Sequence, residues 1–482
     1  MKRRVLRHTR EILEIAVAGA CAAVPLIFSP QLLSANPQLP GFFDPWSALH
    51  HGIRISIFVA YMLAAFAWAR TQIWSAARRI RMPREFQKYR IYGEVQDTGA
   101  SIEVDLPDSD AIYDVLSTDK VYQRFPRKYG RLRLLELFGK LYPVVILAEH
   151  ISLRKSDVSC RLLMQADRNH PRRFELSGDV AKWKAELLRV HEKMLGRDFA
   201  WFDDLARLKR CIVRPRLLPI GRRLRLEFEI CNYSDYVTSN YSVDLRRSGS
   251  RSVRDHLDNW PRRRRGLPRL ARSICANQLG LNVMLVTSDG KMVFAARGAK
   301  VLTYPGLPGP PVSGTQMYWY KEDRYRVEED GTRVLLREKG PATSYYDGYV
   351  HKHGVPNPFS GVLAQAWEET NLLPKHVRDL RLIGLNRDLT RGGLPDAFFV
   401  AHLRLTYSQL RDIAPEKARD SWERKAKAGL PGFGPHDIRR SSYKEAAADI
   451  SDWLSDHPAT PALVSNLYFF LQYLRRHAAE FK

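Results

Sequence analysis

Two uncharged stretches near the N-terminus constrain this chain more than any other feature, because a segment crossing a bilayer must satisfy its backbone internally, as a helix does. Residues 15–43 contain no charged side chain, and their first half, IAVAGACAAVPLIF, is apolar enough to span as a helix of about 20 residues. A second stretch at 53–75 has an uncharged centre at 55–69, flanked by Arg54 and Arg70, whose long stems let the charges reach outward. Basic residues crowd MKRRVLRHTR before the first stretch and ARRIRMPREFQKYR after the second, while 29–52 holds no Lys or Arg. The positive-inside rule therefore predicts two spans, at about 12–33 and 53–75, with both termini cytoplasmic. A cleaved signal peptide is the competing reading of the first stretch. Its basic start fits, but the apolar run exceeds an h-region of about 7–15 residues and no clear A-x-A site follows. Ala16, Gly19, Ala20 and Ala23 would let the spans pack closely, against each other or between protomers.

A chain of 482 residues with 45% hydrophobic content has room for the spans and two further units with their own cores. The division expected is 1–80 for the membrane helices, 81–229 for a linker domain and 230–482 for a C-terminal domain. The linker reads as α+β: ASIEVDL (100–106) and SCRLLMQA (159–166) alternate like strands, and VAKWKAELLRVHEKML (180–195) has helical spacing. Five cysteines are scattered without C-x2-C spacing, which argues against a disulfide framework or zinc site and suits a reducing compartment. The net charge of +25 suits anionic lipid or a phosphate-bearing ligand. The basic run 251–269, with RRRR at 262–265, lacks interleaved aromatics, so no nucleic acid polymer is expected as a partner.

The C-terminal part carries the most specific pattern. LNVMLVTSDGKMVFAAR (281–297) reads as strand, Asp289-Gly290 turn and returning strand. FSGVLAQAWEETNLLP (359–374) reads as a helix, and RLIGLNRDLTRGGLPDAFFVAHLRL (381–405) as strand, Gly392-Gly393 turn and strand. Glu368 and Glu369 in WEET are adjacent on the helix, an arrangement that gathers carboxylates for a hard cation such as Mg2+ or Mn2+. Paired glutamates on a helix are otherwise an ordinary solvated face.

This strand-turn-strand, helix, strand-turn-strand order resembles a Nudix domain, and WEET resembles the end of its box, G-x5-E-x7-R-E-U-x-E-E-x-G-U, with U aliphatic. The resemblance covers about half the chain and departs from the pattern at several places. Aligned on Glu368 and Glu369, the box arginine is Ala364, its neighbouring glutamate is Gln365 and its leading glutamate is Pro356. Gly348, the nearest leading glycine, stands two positions too far away. The whole chain resembles the two-transmembrane Nudix effectors of CBASS anti-phage systems.

That resemblance implies a membrane-anchored α+β protein: two N-terminal transmembrane helices, an α+β linker domain and a degenerate Nudix-like α/β/α sandwich, located in the bacterial inner membrane. It also implies a function, in which a cyclic di- or trinucleotide made on infection binds the sandwich, protomers associate into a homo-oligomer, and membrane lipid is disrupted. No cofactor is then required, and Glu368 and Glu369 are the ligands if Mg2+ or Mn2+ binds. Arg297, Tyr304, Tyr346 and Arg391, flanking the expected mouth of the sandwich, are the candidate nucleotide contacts. Tyr345 and Tyr349 could stack on a base or fill the sandwich edge, and His351 and His353 stand near the expected phosphates without a third metal ligand. The alternative is a membrane-anchored Nudix hydrolase of a nucleoside diphosphate derivative, with Asp388 or Asp396 as a distant base.

Overall fold

A computed structural model describes residues 101–106, 109–115, 132–166, 170–195, 204–213, 224–258, 267–297, 304, 306–318, 325–327, 333–335, 355–413, 432–433, 443–457 and 459–477. They all belong to one compact unit, Met82–Lys482. In chain order its strands begin with β1 (Ser101–Leu106), β2 (Ser109–Val115), β3 (Leu134–Leu137), β4 (Lys140–Ala148) and β5 (Val158–Leu162). Helix α1 (Lys184–Leu195) precedes β6 (Asp204–Val213) and β7 (Leu224–Asn232), then come α2 (Tyr233–Ser239) and β8 (Leu245–Arg247). The C-terminal part adds β9 (Gly280–Val286), β10 (Met292–Val293), β11 (Ala295–Ala296), β12 (Pro308–Gly309), β13 (Val312–Thr315), β14 (Tyr325–Val327) and β15 (Arg333–Leu335). Helix α3 (Pro358–Thr370), β16 (Val377–Asp388), β17 (Leu394–Leu403), β18 (Gly432–Phe433), α4 (Tyr443–Asp456) and α5 (Pro461–His477) complete it.

The organising element is a mixed eight-stranded sheet in the order β18-β10-β9-β17-β16-β4-β3, with β13 also paired to β9. Its parallel pair is β9 and β17, with Gly280 opposite Asp396. All ten positions of β17 are buried, as expected of a strand covered on both faces. Strand alternation divides the coverings. Leu281, Val283 and Leu285 of β9 and Ala397, Phe399 and Ala401 of β17 join Phe359, Val362 and Ala366 of α3 in one core. Met284 and Val286, with Phe398 and Val400, face the other way and meet Ile450 of α4 and Leu463, Leu467 and Phe470 of α5. Helix, sheet and helix therefore form three layers. Gly384 of β16 allows the close approach of α5, since a Cβ there would collide with the Phe469 ring.

The turns follow local chemistry. Gly290 takes φ 84° in the reversal from β9 to β10, and Gly392 and Gly393 take φ 65° and 80° between β16 and β17, a region hostile to a Cβ. A second, three-stranded sheet in the order β5-β7-β6 lays Leu224, Leu226 and Phe228 onto the α3-side core. Strand β4 pairs with β16 and β3 with β4, so segments from both sides of position 229 build the main sheet. The 81–229 segment is thus joined to 230–482 within the same compact unit.

The membrane-anchored fold class and the two-span inner-membrane location require correction. Among the described residues no helix is long and apolar enough to cross a membrane. The longest, α5, has 17 residues and ends in Arg475, Arg476 and His477, whereas a span needs roughly 20 apolar residues. The stretches at 12–33 and 53–75 lie outside the described residues.

Candidate functional site

Local sequence sets the ends of α3. The Asn357 side chain accepts a hydrogen bond from the Phe359 N–H at 3.1 Å, Pro358 fills the first turn, and Asn371 closes the helix in the left-handed conformation at φ 57°. Glu368 and Glu369 consequently fall in the last turn, where the helix carbonyls make anions unfavourable by about 0.3–1 kcal/mol. Both are buried, at 6% and 4% exposure, so they are not a solvated helix face.

Glu369 is engaged by the edge of the sheet. The bond from Gln316 N–H to Leu279 O sets the register of β13 on β9, in which Gly314 opposes Leu281 and Ser313 opposes Asn282. Antiparallel alternation then points the Ser313 N–H away from β9. Both carboxylate oxygens of Glu369 accept from that N–H, at 3.2 and 3.3 Å. Beside it, the Gln365 amide donates to Glu368 at 3.4 Å. Gly314 makes this packing possible, because a Cβ there would overlap the Gln365 carboxamide. Arg297 approaches from the other side and donates to Ser313 Oγ at 3.2 Å.

This donor set does not fit a resident Mg2+ or Mn2+. Such a cation takes six oxygen ligands in near-octahedral array. Here one carboxylate is committed to a strand N–H, and the third position of the box presents an amide that donates towards Glu368. Among the described residues no group of three His, Cys, Asp or Glu side chains could hold a metal ion.

A second cluster lies across the sheet. Arg297 belongs to the β11–β12 hairpin, closed by Arg297 N–H to Leu307 O at 3.0 Å and Gly306 N–H to Arg297 O at 3.1 Å. The same hairpin carries Tyr304, buried and held at φ 51°, a conformation costing a non-glycine residue on the order of 1 kcal/mol. Its hydroxyl lies 2.5 Å from Thr390 Oγ1, which in turn donates to Asp388 at 2.6 Å. Arg391 donates to Asp388 at 2.8 Å and to Asp396 at 2.6 Å. Burial opposes the charge on Arg391, but Asp396 and Asp388 outweigh it and hold its pKa well above the ordinary value. Burial pushes Asp396 up to about 6, aided by Asp388 and opposed by Arg391. Asp396 sits two residues before Phe398, whose side chain packs with α5, so strand alternation places it on the face opposite α3. It is therefore not placed as a base beside Glu368 and Glu369.

Four of the six expected site residues thus lie on one chain of contacts: Glu369 to Ser313 to Arg297, through the hairpin to Tyr304, then by Thr390 and Asp388 to Arg391, while Glu368 accepts from Gln365 beside it. Tyr346 lies outside the described residues, as do Tyr345, Tyr349, His351, His353 and the 262–265 run. Sequence reasoning missed Ser313, Thr390 and Asn282, the last a side-chain partner of Asp396. Small polar residues in strands carry no motif, and the one available signal was Asp388, Arg391 and Asp396 flanking a tight Gly-Gly turn. No protein-family model matches the chain, and no curated protein matches it significantly.

Proposed function

We propose that the 230–482 region is a Nudix-like sensor that holds a cyclic di- or trinucleotide without cleaving it, and that the protein is an effector of a cyclic-nucleotide-signalled antiviral system of the CBASS kind. The observation carrying this reading is the commitment of one box carboxylate to structure: Glu369 secures the β13 edge, and Gln365 stands where a hydrolase of this pattern keeps a metal-binding glutamate. A site without that cation set is suited to retaining a phosphodiester rather than activating water against it.

The β11–β12 hairpin supplies a route from ligand to response. A phosphate drawn to Arg297 alters its bond to Ser313, and the hairpin transmits the change to Tyr304 and Thr390. Ligand need favour the associated state over the free one by only a few kcal/mol to make it dominant. Protomer association is the proposed output.

The test incubates the full chain with a panel of cyclic di- and trinucleotides in Mg2+ or Mn2+, measuring affinity, particle mass and the nucleotide recovered. Tight binding of one member, recovered intact and with a rise in mass, is expected. Absence of binding, together with turnover of a linear nucleoside diphosphate derivative, would replace the sensor with a hydrolase.

A further inference from the structure

The outward face of the β5-β7-β6 sheet is built as a cationic surface. Its inward face supplies Leu224, Leu226 and Phe228 to the core, so alternation turns Arg225, Glu227 and Glu229 of β7 outward. Glu229 gathers three cations: Arg207 at 2.7 Å, Lys209 at 2.9 Å and Arg172 at 3.0 Å. Glu227 gathers Arg225 at 2.7 Å and Arg210 at 3.5 Å, and Arg161 of β5 stands opposite it in the parallel register. Arg207 is only 1% exposed and also donates to the carbonyls of Leu270, Ser273 and Cys275, so it serves the interior; the other five cations against two carboxylates leave an excess of three positive charges.

Exposure sharpens the asymmetry. The Glu227 and Glu229 side chains are 5% and 1% exposed, while those of Arg172 and Arg210 are 57% and 61% exposed. The acids lie beneath, the Arg172 and Arg210 guanidinium groups meet solvent, and Arg225 and Lys209 are partly covered. The outer side of such a guanidinium group can take an incoming anion while its inner side stays on the buried carboxylate.

We propose that this face binds the phosphate backbone of duplex nucleic acid without reading its sequence. Four of the five accessible cations are arginines, whose planar fork suits phosphate. Alternate residues along a strand lie about 7 Å apart and the two outer strands about 10 Å apart, so the charges form an extended array rather than a pocket for one phosphate. Among the described residues the aromatic of this face, Phe174, is half-buried with its ring against the Arg207 guanidinium at 4.4 Å rather than presented to unpaired bases, which disfavours single strands. Among the described residues the exposed large hydrophobics of these strands stand at the margins, Ile212 and Val213 at the far end of β6 and Met164 just past β5, so the face has no central apolar anchor of the kind a protein interface uses. The expectation that no nucleic acid polymer is a partner came from the 251–269 run, whereas these cations are dispersed over four separate segments and converge only in the folded sheet. The inference is independent of the proposed nucleotide sensor.

The test measures binding of the full chain to a mixed-sequence duplex of about 24 base pairs across roughly 50–200 mM salt. Three or four neutralised phosphates give a slope of about −3 in log K against log salt. The Arg161→Ala/Arg172→Ala/Arg210→Ala variant keeps Arg225 on Glu227 and both Arg207 and Lys209 on Glu229, so its carboxylates stay paired. It should lose about 0.9 of slope per arginine and at least tenfold in affinity at 100 mM salt. Arg161→Ala alone, which disturbs no ion pair among those described, should lose about one unit of slope. Arg404→Ala/Arg411→Ala, on an exposed region elsewhere, should leave binding unchanged. An unaltered slope in the triple and single variants, equal loss in the Arg404/Arg411 control, or equally tight binding of polyglutamate of matched charge would overturn the proposal.

Discussion

The carboxylate of Glu369 receives the outward N–H of Ser313, joining the last turn of a helix to the exposed edge of a sheet. The pairing serves both partners. It satisfies an edge-strand donor for which the described residues offer no second strand, and it gives a buried anion at the negative end of a helix a hydrogen bond.

Replacing Glu369 by Gln retains an oxygen for Ser313 and should cost under about 1 kcal/mol in urea unfolding, while Glu369→Ala leaves the N–H without this acceptor and should cost about 1–3 kcal/mol. Amide exchange at Ser313 should accelerate in the alanine variant alone. Equal losses in both variants would assign Glu369 a role unrelated to this bond.

Arg391→Met should be among the most damaging single changes. It leaves Asp388 and Asp396 buried without the guanidinium that bridges them, a loss of about 3–5 kcal/mol. Adding Asp396→Asn should restore at least about 1 kcal/mol, because one of the two stranded charges is removed. The comparison of thermal midpoints for the single and double variants measures this coupling.

Asp396 should make stability fall as pH rises through the mildly acidic range. Its folded pKa, about 6, lies above the unfolded carboxylate value of about 3.9, so the folded state holds the extra proton. That contribution is complete below about pH 4 and lost as pH rises through about 6. Relative to wild type, Asp396→Asn should therefore gain on the order of 2 kcal/mol between these limits; a difference that stays flat with pH would refute the assignment.

His191 should act in the opposite sense. It is fully buried with Nε2 2.9 Å from Ser242 Oγ, and burial lowers its pKa to about 3. Its contribution is present above the unfolded value of about 6.5 and is lost as pH falls towards 3, reaching roughly 2 kcal/mol by pH 5. His191→Gln should flatten that part of the acid unfolding profile, and a profile as steep as wild type would place the sensitivity elsewhere.

Much of the local architecture is legible along the chain. The strand expected from 281 is β9, the helix at 359–374 is α3, and the reversals at Asp289-Gly290 and Gly392-Gly393 occur where glycine can take positive φ. The helical spacing at 180–195 corresponds largely to α1. What escaped notice was long-range. Strands β3 and β4 lie more than 200 residues from β16 in sequence, and nothing in KLYPVVILA names β16 as the partner of β4. The apolar N-terminal stretches and their basic flanks pointed to a membrane architecture, and no helix among the described residues is long and apolar enough to supply it.

For the candidate site, residue types were informative and their engagements were not. WEET identified two glutamates at the end of a helix, and the missing box residues argued against a complete metal site. Only folding decided that Glu369 would meet Ser313, that Arg391 would sit between Asp388 and Asp396, and that Asp396 would face away from α3. The physical reason is one of range. Turn chemistry, helix caps and apolar periodicity act over a few residues and can be read from them. The state of a charge depends on burial and on partners brought together by sheet pairing, and those exist only in the tertiary structure.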